Sequence, residues 1–200
     1  MAITSIKTGS SFTNLTKYDS FLAGNTAFSP SSYESIASAT GTGSSGTITF
    51  NSIPSGYSSL QVRFTAKSTD TSGGVGYVFF YSNNSTRYYW HSLYGTGSTA
   101  VTANGSSGQG YMYGGLAYGA AGIANIYGVG IVDILDYAST TKNKTYRMFY
   151  GQDTNNVYSG NVSTGSYLES TNAITSLTFT ADLGNFTTGS TFALYGIKGA

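Results

Sequence analysis

Few residues in this chain could do acid–base, nucleophilic or metal chemistry, and their spacing limits what they can do. The single histidine, His91, stands in Tyr88-Tyr89-Trp90-His91, within a segment that reads as a strand. A Ser-His-Asp hydrolase would have to be built on it, yet no Gly-X-Ser-X-Gly elbow occurs anywhere. His91 therefore reads as a structural or contact residue. Asp133 and Asp136 lie three positions apart in Ile131-Val132-Asp133-Ile134-Leu135-Asp136. A period of two puts them on opposite faces of a strand, which argues against a glycosidase-type carboxylate pair made from these two alone. A hydrolase could still recruit one of them with Asp153, Glu169 or Asp182. The plainer reading is that both end a strand and pair with Lys142, Lys144 or Arg147, a basic group that itself reads as a solvated strand end.

Metal and phosphate chemistry fare no better. The run Gly151-Gln152-Asp153-Thr154-Asn155-Asn156 offers oxygens but lacks the spaced Asp/Asn positions and bidentate Glu of a calcium loop. An Asx-type turn accounts for it. The glycine-rich segments are followed by neither Lys-Ser/Thr nor a helix, so they are not phosphate cradles. Cysteine is absent, which removes disulfides and thiolate metal sites. No cofactor and no metal site are expected.

Nine basic and eight acidic residues among 200 leave a net charge of +1. An ordinary soluble domain is about a quarter charged. Nucleic-acid binding fails on this count, since it requires a phosphate-tracking basic surface. Near-zero net charge favours association instead. What covers the surface is Ser, Thr, Asn, Gly and Tyr, with 27 glycines and 18 tyrosines. Aromatic residues concentrate between positions 77 and 118, and Tyr88, Tyr89, Trp90, His91, Tyr94, Tyr111 and Tyr113 are the candidate contact residues there. Tyrosine buries a ring while keeping a hydroxyl for a partner, so this cluster suits a protein interface, a glycan site, or a core.

The elements that must position these residues are strands. Leu60, Val62, Phe64 and Ala66 alternate with Gln61, Arg63, Thr65 and Lys67, the pattern of a half-buried strand. Thr47–Phe50, Thr145–Tyr150, Ile174–Ala181 and Ser190–Lys198 read likewise. Tyr77–Tyr81 and Arg87–Tyr94, flanking Ser82-Asn83-Asn84-Ser85, predict a hairpin. Ile123–Leu135 reads as a central strand buried on both faces, with a bulge at Gly128 or Gly130. Thr96–Gly110 and Gly114–Gly122 read as glycine-rich surface loops. About nine or ten short strands with no helix between them predict an all-β, antiparallel, jelly-roll-like β-sandwich over residues 36–200. Residues 1–35 differ. Thr13–Asn25 holds the one candidate helix, with Leu15, Tyr18 and Leu22 on one face, and Phe28-Ser29-Pro30 follows as an extended element. This short N-terminal arm is too small to fold alone and reads as a docking element, with Phe12, Tyr18, Phe21, Leu22 and Phe28 as its anchors. No run reaches the roughly 18 apolar residues that span a bilayer. The start also lacks the apolar run of a signal peptide, so no membrane partner is expected.

Several segments carry a family likeness. They are Lys17–Asn25, Ser31–Ala37, Ile53-Pro54-Ser55-Gly56-Tyr57 leading into Leu60–Arg63, Tyr89-Trp90-His91, Val132–Ala138, and the ending Phe192–Gly199. Through these the chain resembles small virion structural proteins, of decoration and tail type, from tailed bacteriophages and particularly cyanophages. The resemblance implies a non-enzymatic virion protein, assembled in the host cytoplasm and exposed on the particle. Its partners would be other virion proteins, the major capsid protein or tail components, and copies of itself in a closed homo-oligomer such as a trimer. Exterior capsid decoration is the leading expectation. A tail or fibre adhesin that binds a host glycan through the aromatic cluster is the alternative.

Overall fold

The computed structural model describes residues 32–72, 75–83, 87–95, 102–120, 123–152 and 160–199. The proposed docking anchors Phe12, Tyr18, Phe21, Leu22 and Phe28, and the candidate helix, lie outside these residues. Twelve strands are present: β1 (Tyr33–Thr40), β2 (Thr47–Phe50), β3 (Ser59–Ala66), β4 (Val75–Ser82), β5 (Tyr88–Gly95), β6 (Thr102–Gln109), β7 (Met112–Tyr118), β8 (Gly128–Leu135), β9 (Lys144–Gly151), β10 (Gly160–Leu168), β11 (Leu177–Ala181) and β12 (Thr191–Ile197). The body thus reaches back to Tyr33. All paired strands are antiparallel, in one sheet ordered β1-β12-β3-β8-β9-β10-β5-β6 and another ordered β2-β11-β4-β7.

Setting aside β5, β6, β9 and β10 leaves eight strands with a recognisable order. One sheet runs first-eighth-third-sixth and the other second-seventh-fourth-fifth. That interleaving of two Greek keys is the jelly roll. The four remaining strands are insertions. β5 and β6 enter between the fourth and fifth jelly-roll strands, β9 and β10 between the sixth and seventh, and together they extend the larger sheet beyond β8.

The core forms because inward residues alternate as the sequence predicts. Leu60, Val62, Phe64 and Ala66 are all buried, and Phe64 meets Phe179 of the smaller sheet, which in turn stacks on Phe80. Each such side chain contributes about 1.5–3 kcal/mol by leaving water. The Phe64 ring stacks on Phe192 at 5.1 Å and needs two glycines to fit. A Cβ at Gly115 or at Gly130 would come within 2.3 Å of its ring.

Three expectations need correction. β4 and β5 are not a hairpin, because they belong to different sheets. The tie between them is a side chain: the Tyr88 hydroxyl accepts a 2.7 Å hydrogen bond from the Ser82 amide, and Asn83 (φ 45°) turns away to accept from the Thr175 and Ser176 amides. The strand ending at Leu135 begins only at Gly128, pairs with β3 without a bulge, and buries one face alone. Finally, the two glycine-rich segments are not loops but contain β6 and β7. Gly105 and Gly115 sit where the rings of His91 and Phe64 approach too closely for an undisturbed side chain, and Gly108 takes a positive φ of 64°.

Candidate functional site

The outer face of the eight-stranded sheet gathers the residues open to a partner. Because β3, β8 and β9 are in continuous register, Arg63, Ile131 and Phe149 form one cross-strand row, and Gln61, Asp133 and Arg147 form the next. Phe149 is 61% exposed, Val129 50%, Leu135 47% and Leu93 43%. Val129, Ile131, Phe149 and Ala193 line a shallow depression of about 520 Å³, with Thr65 and Thr191 closing one side. The polar row beside it is internally satisfied. Gln61 Nε2 donates to Asp133 at 2.7 Å, Arg147 pairs with the same carboxylate at 2.9 Å, and Arg63 donates to Gln61 at 2.6 Å. Arg63 also lies against the Tyr33 and Tyr195 rings, 5.5 and 5.4 Å from their centroids.

Across this polar row lies a second, larger groove of about 960 Å³. Its floor is a cross-strand pair, Tyr89 of β5 against Tyr167 of β10, with ring centroids 4.6 Å apart and planes within 2°. His91 and Gly105–Ser107 border one side, Asn143 and Thr145 the other. The Tyr89 hydroxyl donates to Glu169 at 2.7 Å and accepts from Arg87 at 3.1 Å, while Arg87 and Glu169 pair at 3.1 Å. His91 stands directly opposite Gly105, where a Cβ would meet the imidazole at 2.7 Å. Lys144 holds the Asn143–Thr145 wall in place. Its side chain is wholly buried, and its ammonium donates to the carbonyls of Ser139, Lys142 (2.9 Å) and Thr171 (3.2 Å). Burial pushes its pKa down. The basic group read as a solvated strand end therefore splits: Lys142 and Arg147 are exposed and paired with Asp136 and Asp133, whereas Lys144 is a buried strut.

The seven candidate contact residues do not form one patch. Tyr88 and Trp90 point inward; Trp90 is 8% exposed and meets Tyr113 edge-on at 5.2 Å, its Nε1 without a hydrogen-bond partner. Tyr89 and His91 point outward into the groove. Tyr94 is half-buried at the far end of β5, opposite Thr102. Tyr111 and Tyr113 join Tyr77 and Phe79 in a cluster on the smaller sheet, with centroids 4.3–6.5 Å apart. Burial raises the Tyr113 pKa to about 12 and raises those of Tyr88 and Tyr146 as well.

Sequence reading missed Tyr167, Ser106, Ser107, Asn143 and Thr145. Tyr167 sits in Gly160–Leu168, where glycine and serine obscure any apolar alternation. The acid–base candidates are separated. Asp133 is bound to Arg147 and Gln61, Asp136 follows in a turn with φ 52°, and Glu169 is engaged by Tyr89 and Arg87. Asp153 lies outside the described residues. Among the described residues no three His, Asp or Glu side chains converge as a metal site would require. No family model, curated protein or solved structure matches the chain.

Proposed function

We propose that this protein is a non-enzymatic structural component of a bacteriophage virion, carried on the capsid exterior as a decoration or cement protein. One observation carries the reading: the outer face of the larger sheet leaves Phe149, Val129, Ile131 and Leu135 uncovered in a chain with only 17 charged residues. Such a face suits a neighbouring subunit that buries it, because weak net charge adds no repulsion between copies. Covering the Phe149 ring would stabilise docking by about 1.5–3 kcal/mol. The segment likeness to virion proteins supports the same reading. Under it, the residues before β1 are a second point of attachment, the partner is a capsid subunit, and the protein associates with itself as a closed trimer.

Incorporation tests this. Particles would be assembled with the wild-type chain, with residues 1–30 deleted, and with Phe149→Ser, and the copies per purified particle counted. The expected result is a wild-type copy number that follows the capsid subunits, with both variants folded but depleted from particles. A copy number matching the tail would move the protein there. Normal incorporation of both variants, or absence of the wild-type chain from particles, would overturn the reading.

A further inference from the structure

We infer that the groove over Tyr89 and Tyr167 is a binding site for an uncharged oligosaccharide. A sugar ring has an apolar C–H face and a rim of hydroxyls. Binding it calls for an aromatic face beside short hydroxyl and amide side chains, on a surface without net charge. The groove offers that combination. The tyrosine stack uses one face of each ring. Register leaves the second face of Tyr167 toward Thr145 on β9, and that of Tyr89 toward the Ser106–Ser107 stretch of β6. Asn143, Thr145, Ser106 and Ser107 supply donors and acceptors at the rim.

Competing ligand classes fit less well. Among the described residues no Asp, Glu, Lys or Arg side chain lines the groove, and Arg87 and Glu169 at its Tyr89 end are engaged with each other and with the Tyr89 hydroxyl. A phosphorylated, sulfated or nucleic-acid ligand would lack a counter-charge. A proline-rich peptide needs a slot between separated aromatic ridges, whereas these rings lie against each other. The volume, about 960 Å³, sits at the top of the usual small-ligand range of about 300–1,000 Å³ and suits a short chain rather than one ring.

The platform is also preorganised. Both tyrosines stand on paired strands, the Arg87–Glu169 pair fixes the Tyr89 hydroxyl, and Gly105 makes room for the His91 ring across the strand. Little ordering is left for the ligand to impose, and that favours affinity.

The test is titration calorimetry of the full-length chain against short neutral oligomers of glucose, galactose, mannose and N-acetylglucosamine, with a proline-rich peptide as the competing class. At least one oligomer should bind. Tyr167→Ala should weaken binding about tenfold or more, and Tyr167→Phe, which keeps the ring, should retain most of it. Val129→Ala, at the opposite end of β8 from the Leu135–Thr145 pair, should leave binding unchanged. Melting curves establish that each variant is folded. Absence of binding to every oligomer overturns the inference. So does binding that Tyr167→Ala and Tyr89→Ala both leave intact, or preference for the peptide.

Discussion

On the jelly-roll strands of the larger sheet the outward side chains include Val129, Ile131, Ala193 and Leu135, whereas on the inserted strands they include Tyr89, His91, Thr145 and Tyr167 beside the apolar Leu93 and Phe149. Strand β9 is the seam. Its Phe149 end closes the apolar depression and its Thr145 end opens the groove. Every residue bordering the groove comes from β5, β6, β9, β10 or the residue just before β9. Inside, the two sets of strands share one core, with Tyr88, Trp90, Tyr146 and Met148 packed beside Val62, Phe64 and Val132. The difference lies only in what faces outward. Eight strands suffice to close the fold, so the four additional ones can hold a shaped surface without carrying the topology.

Neighbouring residues of the paired strands β5 and β10 give the sharpest test of that division. Trp90→Ala should cost about 3–5 kcal/mol of stability, read as a lower midpoint in urea, because it empties core space. Tyr167→Ala should leave the midpoint nearly unchanged. Equal losses from both would erase the distinction between the inner and outer faces.

A smaller effect is expected from Gly130 and Gly105, which both lie under rings. Gly130→Val drives a side chain into the buried Phe64 ring and should cost about 3 kcal/mol. Gly105→Ala meets the exposed His91 ring, which can swing aside, and the Trp90 carbonyl at 3.1 Å, so the loss should stay below about 1 kcal/mol while oligosaccharide binding changes. Comparable destabilisation by the two would mean that the inserted strands are as tightly constrained as the jelly roll.

Lys144 sits where the two regions join. Lys144→Met leaves three carbonyls without their donor and should cost about 2–3 kcal/mol in a thermal melt. Alkaline titration of the wild type probes the same interior. Tyr88, Tyr113, Tyr137 and Tyr146 have pKa values raised by burial, so each binds its proton more tightly folded than unfolded. Their contribution is complete below the ordinary value of 10 and is lost as pH climbs through the folded values, about 12 for Tyr113. Lys144 works in the opposite sense: its lowered pKa makes stability rise as pH approaches 10.5. The tyrosines outnumber it, so melting temperature should fall above pH 10. A flat profile there would mean that these hydroxyls are not buried. The smallest change is expected of Phe149→Ser, within about 0.5 kcal/mol, because most of the ring already faces water.

Much of this was legible in the chain, but unevenly. The alternation in Leu60–Lys67 gave the inner face of β3 residue by residue. The same period applied within Tyr88–His91 separates Tyr88 and Trp90 from Tyr89 and His91, although composition alone groups all four together. β6 and β7 were illegible because a glycine in each is set against a ring on another strand: Gly105 against His91, Gly115 against Phe64. The outward apolar residues of β8 mislead in the same way, since Val129 and Ile131 look like core until the sheet's open face is known. Tyr167 could not be found at all, because its meaning depends on Tyr89, a residue 78 positions earlier that only the β5–β10 pairing brings alongside.

The pairing of the first and last strands has a mechanical consequence. Tyr33 of β1 lies opposite Ile197 of β12, and the Lys198 amide donates to the Ser32 carbonyl at 3.0 Å, so the two ends of the body leave from one corner. A load pulling Ser32 and Gly199 apart would run perpendicular to these strands. It would part their hydrogen bonds one after another from that corner, like a zipper. A load entering at Ser32 and leaving through the far end of the sheet would instead strain the whole β1 ladder at once. The direction of pull, more than its strength, would then set how long the body stays folded.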